Sequence, residues 1–280
     1  MKKSRQLTYP PPVADGMKKF YENLDEIYSQ VQKNLTAEAI SPVDIGYPEN
    51  PASADKPLLR PGELNLPGEE VEKVMLEITG EFLGFFSEEE KKFSDLEEFR
   101  DLLADDDFSA HELLINYLQD EIIPAEQPLE KNLFNQMMLF TIRPFFSWLA
   151  REGENSAKIT DSWRESFCPI CGAIPELARL TGERGERRLW CWVCSTEWQY
   201  NRFYCPHCGE EKADGQRYFT VEESAYRVDV CDSCDGYLKV IDEEKVSEKH
   251  HDSLSWMIND IGTQHLDRLA RQEGYELGEK

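Results

Sequence analysis

Apolar residues recur at helical spacing through the first half of the chain and give way to short strand-like runs after about residue 160. Phe20, Leu24, Ile27, Tyr28 and Val31 lie on one helical face, with lysines and glutamates between them. Val71, Val74, Met75, Ile78 and Phe82 form a second stripe, and Leu113, Leu114, Tyr117 and Leu118 a third. Leu133, Met137, Phe140 and Trp148 predict a longer helix, with a kink where Pro144 interrupts it. Ser87 with Glu90, Ser94 with Glu97, and Ser109 with Glu112 fit the S-x-x-E capping box, in which hydroxyl and carboxylate satisfy orphan backbone donors at a helix start. Residues 41–68 carry six prolines (Pro42, Pro48, Pro51, Pro57, Pro61 and Pro67) and little periodicity, which predicts an extended connection running over the surface.

The later half reads differently. Leu177 to Leu180, a TGERGERR turn, and Leu189-Trp190 predict a β-hairpin, and Tyr237 to Ile241 a further strand. Leu266, Leu269 and Ala270 mark one face of a C-terminal helix, with Gly274 as its C-cap. The fold expected is α+β: a helical domain, two tandem rubredoxin-like or zinc-ribbon modules, and a C-terminal helix. The boundaries expected are a disordered arm at 1–15, a helical domain at 16–160, metal modules at 161–204 and 205–241, and a linker and helix at 242–280.

The modules are read from the cysteines. All eight fall in four C-x-x-C pairs: Cys168/Cys171, Cys191/Cys194, Cys205/Cys208 and Cys231/Cys234. A two-residue gap lets two thiolates reach one ion at about 2.3 Å without strain. The first and third pairs share C-P-x-C-G; a shift of 37 superimposes them, and a shift of 40 superimposes the second pair on the fourth. This is an internal duplication, and it favours two sequential four-thiolate sites over a cross-braced arrangement. In C-P-x-C-G the proline stiffens the loop, and the glycine permits a positive φ that turns backbone N–H groups toward the first sulfur. All-thiolate tetrahedral sites suit zinc and iron alike. His207 lies beside cysteines that already serve, so it is not expected as a ligand. Trp190, Trp192, Trp198, Tyr200, Phe203, Tyr204 and Tyr237 crowd the region as core, or as a shield for a redox iron.

Charge narrows the functional classes. Thirty-one basic against fifty-five acidic side chains leave a net charge of −24, which disfavours nucleic acid and anionic lipid. Arg179, Arg184, Arg187 and Arg188 form one local basic hairpin, read as a solvated loop or as a contact for an acidic partner. The N-terminal basic residues are not followed by an apolar run, so no secretory signal is expected. Leu133 to Ala150 is broken by Arg143 and Pro144 and makes a poor membrane span. The expected location is the cytoplasm, where thiols stay reduced and metal binding prevails over disulfides. His111 is the helical half's single histidine, and no catalytic constellation accompanies it.

Four stretches carry a resemblance to a known family: CPICGAIP at 168–175, CWVCSTEWQYNRFYCPHCG at 191–209, VCDSCDGYLK at 230–239 and DIGTQHLDRLARQEGY at 260–275. In their order they resemble the FdhE family, the formate dehydrogenase accessory proteins, over roughly the last 120 residues. The resemblance implies a cytoplasmic bacterial protein that binds the catalytic subunit of formate dehydrogenase and supports its maturation, without itself oxidising formate. It also implies rubredoxin-like iron held by the eight cysteines. His265 and Asp267 fall in the last of these motifs and are expected only to pack or cap a helix. Rival classes are a rubredoxin-like electron carrier, a nucleic-acid-binding zinc ribbon, and a C-x-x-C thiol oxidoreductase.

Overall fold

The computed structural model describes residues 11–36, 40, 56–59, 64–119, 127–152, 163–211, 217–220, 224–246 and 256–278. Residues 1–10 of the expected disordered arm, Pro42, Pro48, Pro51 and Pro61 of the extended connection, the expected boundary at 160–161 and linker residues 247–255 lie outside them. The chain divides into two compact units. One comprises Ala14–Gly46 and Leu58–Gly153; the other comprises Met1–Val13, Tyr47–Pro57 and Glu154–Lys280.

The first unit is helical: α1 (Asp15–Asn34), α2 (Gly68–Phe85), α3 (Glu90–Leu103), α4 (Ala110–Leu118) and α5 (Lys131–Glu152). The stripes read from the sequence face inward. Phe20, Leu24, Tyr28 and Val31 of α1 are buried, as are all five stripe residues of α2. Phe20, Phe82 and Phe140 join α1, α2 and α5 edge-to-face, with ring centroids 5.2 to 6.0 Å apart, the geometry favoured by the aromatic quadrupole. Leu58, Leu59, Leu64 and Leu66, in the described part of the proline-rich stretch, are also buried. No periodicity marked them, because a segment that is not a helix or strand can anchor itself wherever an apolar side chain meets the core.

Of the three capping-box serines, one caps a helix. Ser109 caps α4 and accepts from the Glu112 backbone N–H at 3.2 Å. Ser94 instead lies inside α3, and Ser87 precedes that helix, whose N-cap is Glu89. The motif recurs by chance in a Ser- and Glu-rich stretch, and only the copy at a real helix start has orphan donors to satisfy. Pro144 stays within α5. It has no N–H for the carbonyl of Phe140 four residues back. The Tyr28 hydroxyl donates to that carbonyl at 3.1 Å, and Gln32 Nε2 donates to the Pro144 carbonyl at 2.9 Å. α1 thus stitches the interrupted rung of α5. Among the described residues no helix is long and apolar enough to cross a membrane.

The second unit is built on one six-stranded sheet. Its strands are β1 (Leu177–Thr181), β2 (Glu186–Trp190), β3 (Glu197–Gln199), β4 (Arg217–Thr220), β5 (Tyr226–Cys231) and β6 (Gly236–Asp242), in the order β3-β2-β1-β6-β5-β4. The duplication is visible in this order. Each module contributes three antiparallel strands running third-second-first, and the modules meet where β1 pairs with β6 in parallel. β6 is longer than its counterpart β3, and its outer part, Lys239–Asp242, pairs with β1. The expected hairpin is β1–β2; it turns through Gly182 (φ 64°) and Gly185 (φ 59°), with Gly185 N–H donating to the Gly182 carbonyl at 2.9 Å.

After a short 3-10 turn (Glu243–Lys245) come α6 (Trp256–Gly262) and α7 (Gln264–Gln272). Leu266 and Ala270 of α7 pack with Leu177, Trp190, Tyr226, Val228, Val230, Tyr237 and Ile241 of the sheet. Leu269, expected on that face, is instead 42% exposed. Gly274 takes φ 91° just past α7, and Tyr275 N–H returns to the Ala270 carbonyl at 3.0 Å, the expected αL ending.

Replacing Tyr28 with Phe should cost about 1–3 kcal/mol of unfolding free energy in urea titrations. The cost should shrink in a Pro144→Ala background, where residue 144 regains its N–H.

Candidate metal centres

Four backbone turns present the sulfurs. In each, the residue after the second cysteine is left-handed: Gly172 (φ 78°), Ser195 (62°), Gly209 (73°) and Asp235 (52°). The two glycines adopt this freely, whereas Ser195 and Asp235 do so at a steric cost. The conformation closes each loop onto its first cysteine. Gly172, Ser195 and Gly209 N–H donate to the carbonyls of Cys168, Cys191 and Cys205 at 3.0, 2.9 and 3.0 Å. Backbone N–H groups then face the sulfurs: Ile170 toward Cys168 at 3.4 Å, Cys194 toward Cys191 at 3.5 Å, and His207 toward Cys205 at 3.4 Å.

The sulfurs gather into two groups, Cys168/Cys171/Cys191/Cys194 and Cys205/Cys208/Cys231/Cys234, each with all four Sγ within 4.8 Å of one another. The grouping is sequential and not cross-braced. Nearest separations are 3.4–3.6 Å in the first group and 3.7–3.8 Å in the second. A tetrahedron with bonds of about 2.3 Å has edges of roughly 3.8 Å, so both groups could hold a metal ion. Gathering the sulfurs also shifts their thiols. Burial pushes the Cys191 thiol well up, and at Cys205 it raises the thiol to about 11 against the backbone donors at Cys208 and His207. At Cys231 burial is outweighed by N–H groups of Ser233 and Cys234, and the thiol falls to about 7. Four thiolates this close repel one another, and a divalent cation removes that repulsion. His207 is engaged through Nε2, which lies 2.8 Å from the Tyr237 carbonyl.

The groups differ in access. All four cysteines of the first are buried, while Cys208 and Cys234 of the second are exposed.

Two charged hubs fix the elements that carry the turns. Glu197 of β3 accepts from Arg179 at 2.6 and 2.7 Å, from Arg188 at 3.1 Å and from the Trp256 indole at 2.7 Å. Trp256 in turn stacks on Trp190 with centroids 5.6 Å apart. Burial alone would raise the Glu197 carboxyl, but Arg179 and Trp256 hold it below the usual range. Lys239 of β6, almost fully buried, reaches Asp260 at 2.8 Å and Asp267 at 3.0 Å, and the Tyr237 hydroxyl donates to Asp267 at 3.1 Å. Burial disfavours the Lys239 cation, yet the two aspartates overcome this and hold its pKa above the ordinary value. Asp267 is therefore more than a helix cap: it locks α7 to β6. Spacing alone gave no signal for that pairing, since 28 residues separate the partners.

Three of the four arginines of the basic hairpin are tied down within the fold, and only Arg184, at the turn, is exposed as a solvated loop residue. Arg187 is fully buried against Asp229 at 2.8 Å, and it donates to the Tyr204 carbonyl at 3.0 Å. Arg179 and Arg188 are bound to Glu197. Pairing of β3 with β2 brings in Glu197, and Asp229 comes from β5 of the other module, which local sequence could not reveal. Of the crowded aromatics, Trp190, Trp198 and Tyr237 are core, whereas Phe203 is 46% exposed.

No protein-family model matches the chain. Curated relatives are the Protein FdhE homolog of Aquifex aeolicus (28% identical over 152 residues, 52% of each chain) and the Protein FdhE homolog of Pseudomonas aeruginosa (34% over 139 residues, 46% of this chain and 42% of the relative). Protein FdhE of Escherichia coli K12 is 31% identical over 116 residues, 40% of this chain and 35% of the relative. The crystal structure of the FdhE protein from Pseudomonas aeruginosa superposes with TM-score 0.59 at 21% identity, covering 95% of this chain and 87% of that one. This chain is related to the FdhE proteins. The alignments span about half the length of the curated FdhE relatives or less; the structural match shows that the FdhE fold extends over both units.

Lys239→Met should cost about 3 kcal/mol or more, because it leaves Asp260 and Asp267 without their cation. Glu197, with its lowered pKa, stabilises the fold above the ordinary carboxylate range and loses that contribution as pH falls through its folded value. Glu197→Gln should therefore flatten the acid limb of a Tm-versus-pH profile; an unchanged limb would contradict the hub.

Proposed function

We propose that the chain is a non-catalytic accessory protein that binds the catalytic subunit of a formate dehydrogenase in the cytoplasm and supports its maturation. Two tetrathiolate centres would stabilise, or make redox-sensitive, the surface that docks. The observation that carries this reading is the pair of four-sulfur groups in a chain related to the FdhE proteins. Cys168, Cys171, Cys191 and Cys194 would hold one ion, and Cys205, Cys208, Cys231 and Cys234 the other. Bound iron would supply a one-electron step that zinc lacks. The chain's own contribution is to set the sulfur positions and direct N–H groups at them, so that negative charge is spread before any ion arrives.

The nucleic-acid reading loses most of its sequence support, since Arg179, Arg187 and Arg188 are neutralised within the fold and only Arg184 of the hairpin is left exposed. Exposure of Cys208 and Cys234 keeps the electron-carrier reading as the second choice, because an accessible centre suits electron exchange.

Anaerobically purified protein should carry two ions per chain and retain the formate dehydrogenase catalytic subunit in a pull-down. Absence of that association would overturn the accessory reading, and reversible one-electron cycling without it would favour the carrier. Because protons compete for the thiolates, metal affinity should fall as pH falls, with up to four protons taken up per ion released. Titration with a pH-indicator readout measures that number.

A further inference from the structure

The two centres are copies in sequence but not in surroundings. The second cysteine of each turn in the first centre, Cys171 or Cys194, is 8% or 1% exposed. Their counterparts in the second centre, Cys208 and Cys234, open to solvent, while Cys205 and Cys231 remain buried. Exposure does not come from a loose framework. The Asp232 and Asp235 turn is held from outside by the C-terminal segment: Tyr275 hydroxyl donates to Asp232 at 2.8 Å, and Glu276 N–H donates to the Asp235 carbonyl at 2.7 Å. The second centre is thus a firmly held site with one open edge.

From this we infer that the centres have different roles: the first is closed and keeps its ion, and the second exchanges its ion with a divalent transition metal through the Cys208–Cys234 edge. The inference rests on the reading that both groups hold metal. Exchange at a tetrathiolate requires an incoming donor to reach the ion as one thiolate departs. The new donor–metal bond forms, the metal–sulfur bond breaks, and the freed thiolate takes a proton from water. In the first centre buried sulfurs block that approach. In the second, Cys208 or Cys234 leaves first into solvent and is protonated there, the incoming donor takes its place on the ion, and the remaining sulfurs are replaced in turn so that the ion leaves bound to that donor. The hydrophobic shell around a centre controls solvent access to it, and solvent access is what an incoming donor needs. Charge selects the species that arrives. Glu210, Glu211 and Asp235 are exposed near the open edge, so a hydrated replacement cation is drawn to the sulfurs as the first ion leaves.

The full chain is loaded with two zinc ions, and release to 4-(2-pyridylazo)resorcinol is followed by absorbance with circular dichroism in parallel. Two phases of one ion each are expected, the fast one quicker by about tenfold or more, with the helical signal unchanged after the fast phase. Cys208→Ser should accelerate or abolish the fast phase and leave the slow phase as it was. The same result from Cys234→Ser guards against a local effect of one substitution. Release of both ions at one rate, or a change in the slow phase on Cys208→Ser, overturns the inference while leaving two metal centres standing. Uptake of fewer than two ions overturns the metal reading itself, and the inference with it.

Discussion

Four sulfurs that must each give up a proton to hold an ion have to be brought within about one tetrahedral edge of one another, and most of the second unit serves that requirement. The left-handed residue after each C-x-x-C turn places the pair, and backbone N–H groups offset part of the charge. The strands then set the distance between pairs. β1 and β2 carry the chain from Cys171 to Cys191, and β4 and β5 carry it from Cys208 to Cys231. An error in strand register would move one pair relative to the other by more than the metal–sulfur bond tolerates.

The two modules are joined head to tail, not face to face. β1 of the first pairs with the extension of β6 in the second, so the duplication yields one continuous sheet. Such a joint leaves β3 and β4 as edges, and both are short, as edge strands commonly are. The C-terminal helices then fasten both modules, with Asp260 of α6 also held by Lys239. Trp256 of α6 reaches Glu197 in the first, and Asp267 of α7 reaches Lys239 in the second. Buried ion pairs of this kind contribute little net stability but penalise any arrangement that leaves a charge alone. Their position suggests a role in specifying how the helices dock on the sheet.

Much of this was legible in the sequence, for identifiable reasons. The α1 and α2 stripes were readable because helical spacing alone decides which residues face inward. The sequential grouping of the eight cysteines followed from the shared C-P-x-C-G turn and the near-constant shift. What escaped were features set by distant partners. The parallel β1–β6 joint depends on Lys239–Asp242, which no local pattern marks as a pairing edge. The arginine hairpin looked solvated because Asp229 and Glu197 lie elsewhere in the chain. The difference between the centres was also invisible, since Cys171 and Cys208 sit in nearly identical turns and differ only in what surrounds them. Family resemblance pointed to T-E-W, Y-L-K and H-L-D without saying why they recur together. In the fold, Glu197, Lys239 and Asp267 are the residues that tie helices to strands.

The central claim is that this chain carries two independent four-sulfur centres. X-ray absorption fine structure at the metal edge of the metal-loaded full chain tests it most directly. The account predicts two ions per chain, each with four sulfur neighbours at about 2.3 Å and no nitrogen. A first shell containing nitrogen or oxygen, or a single ion shared among the four turns, would contradict it.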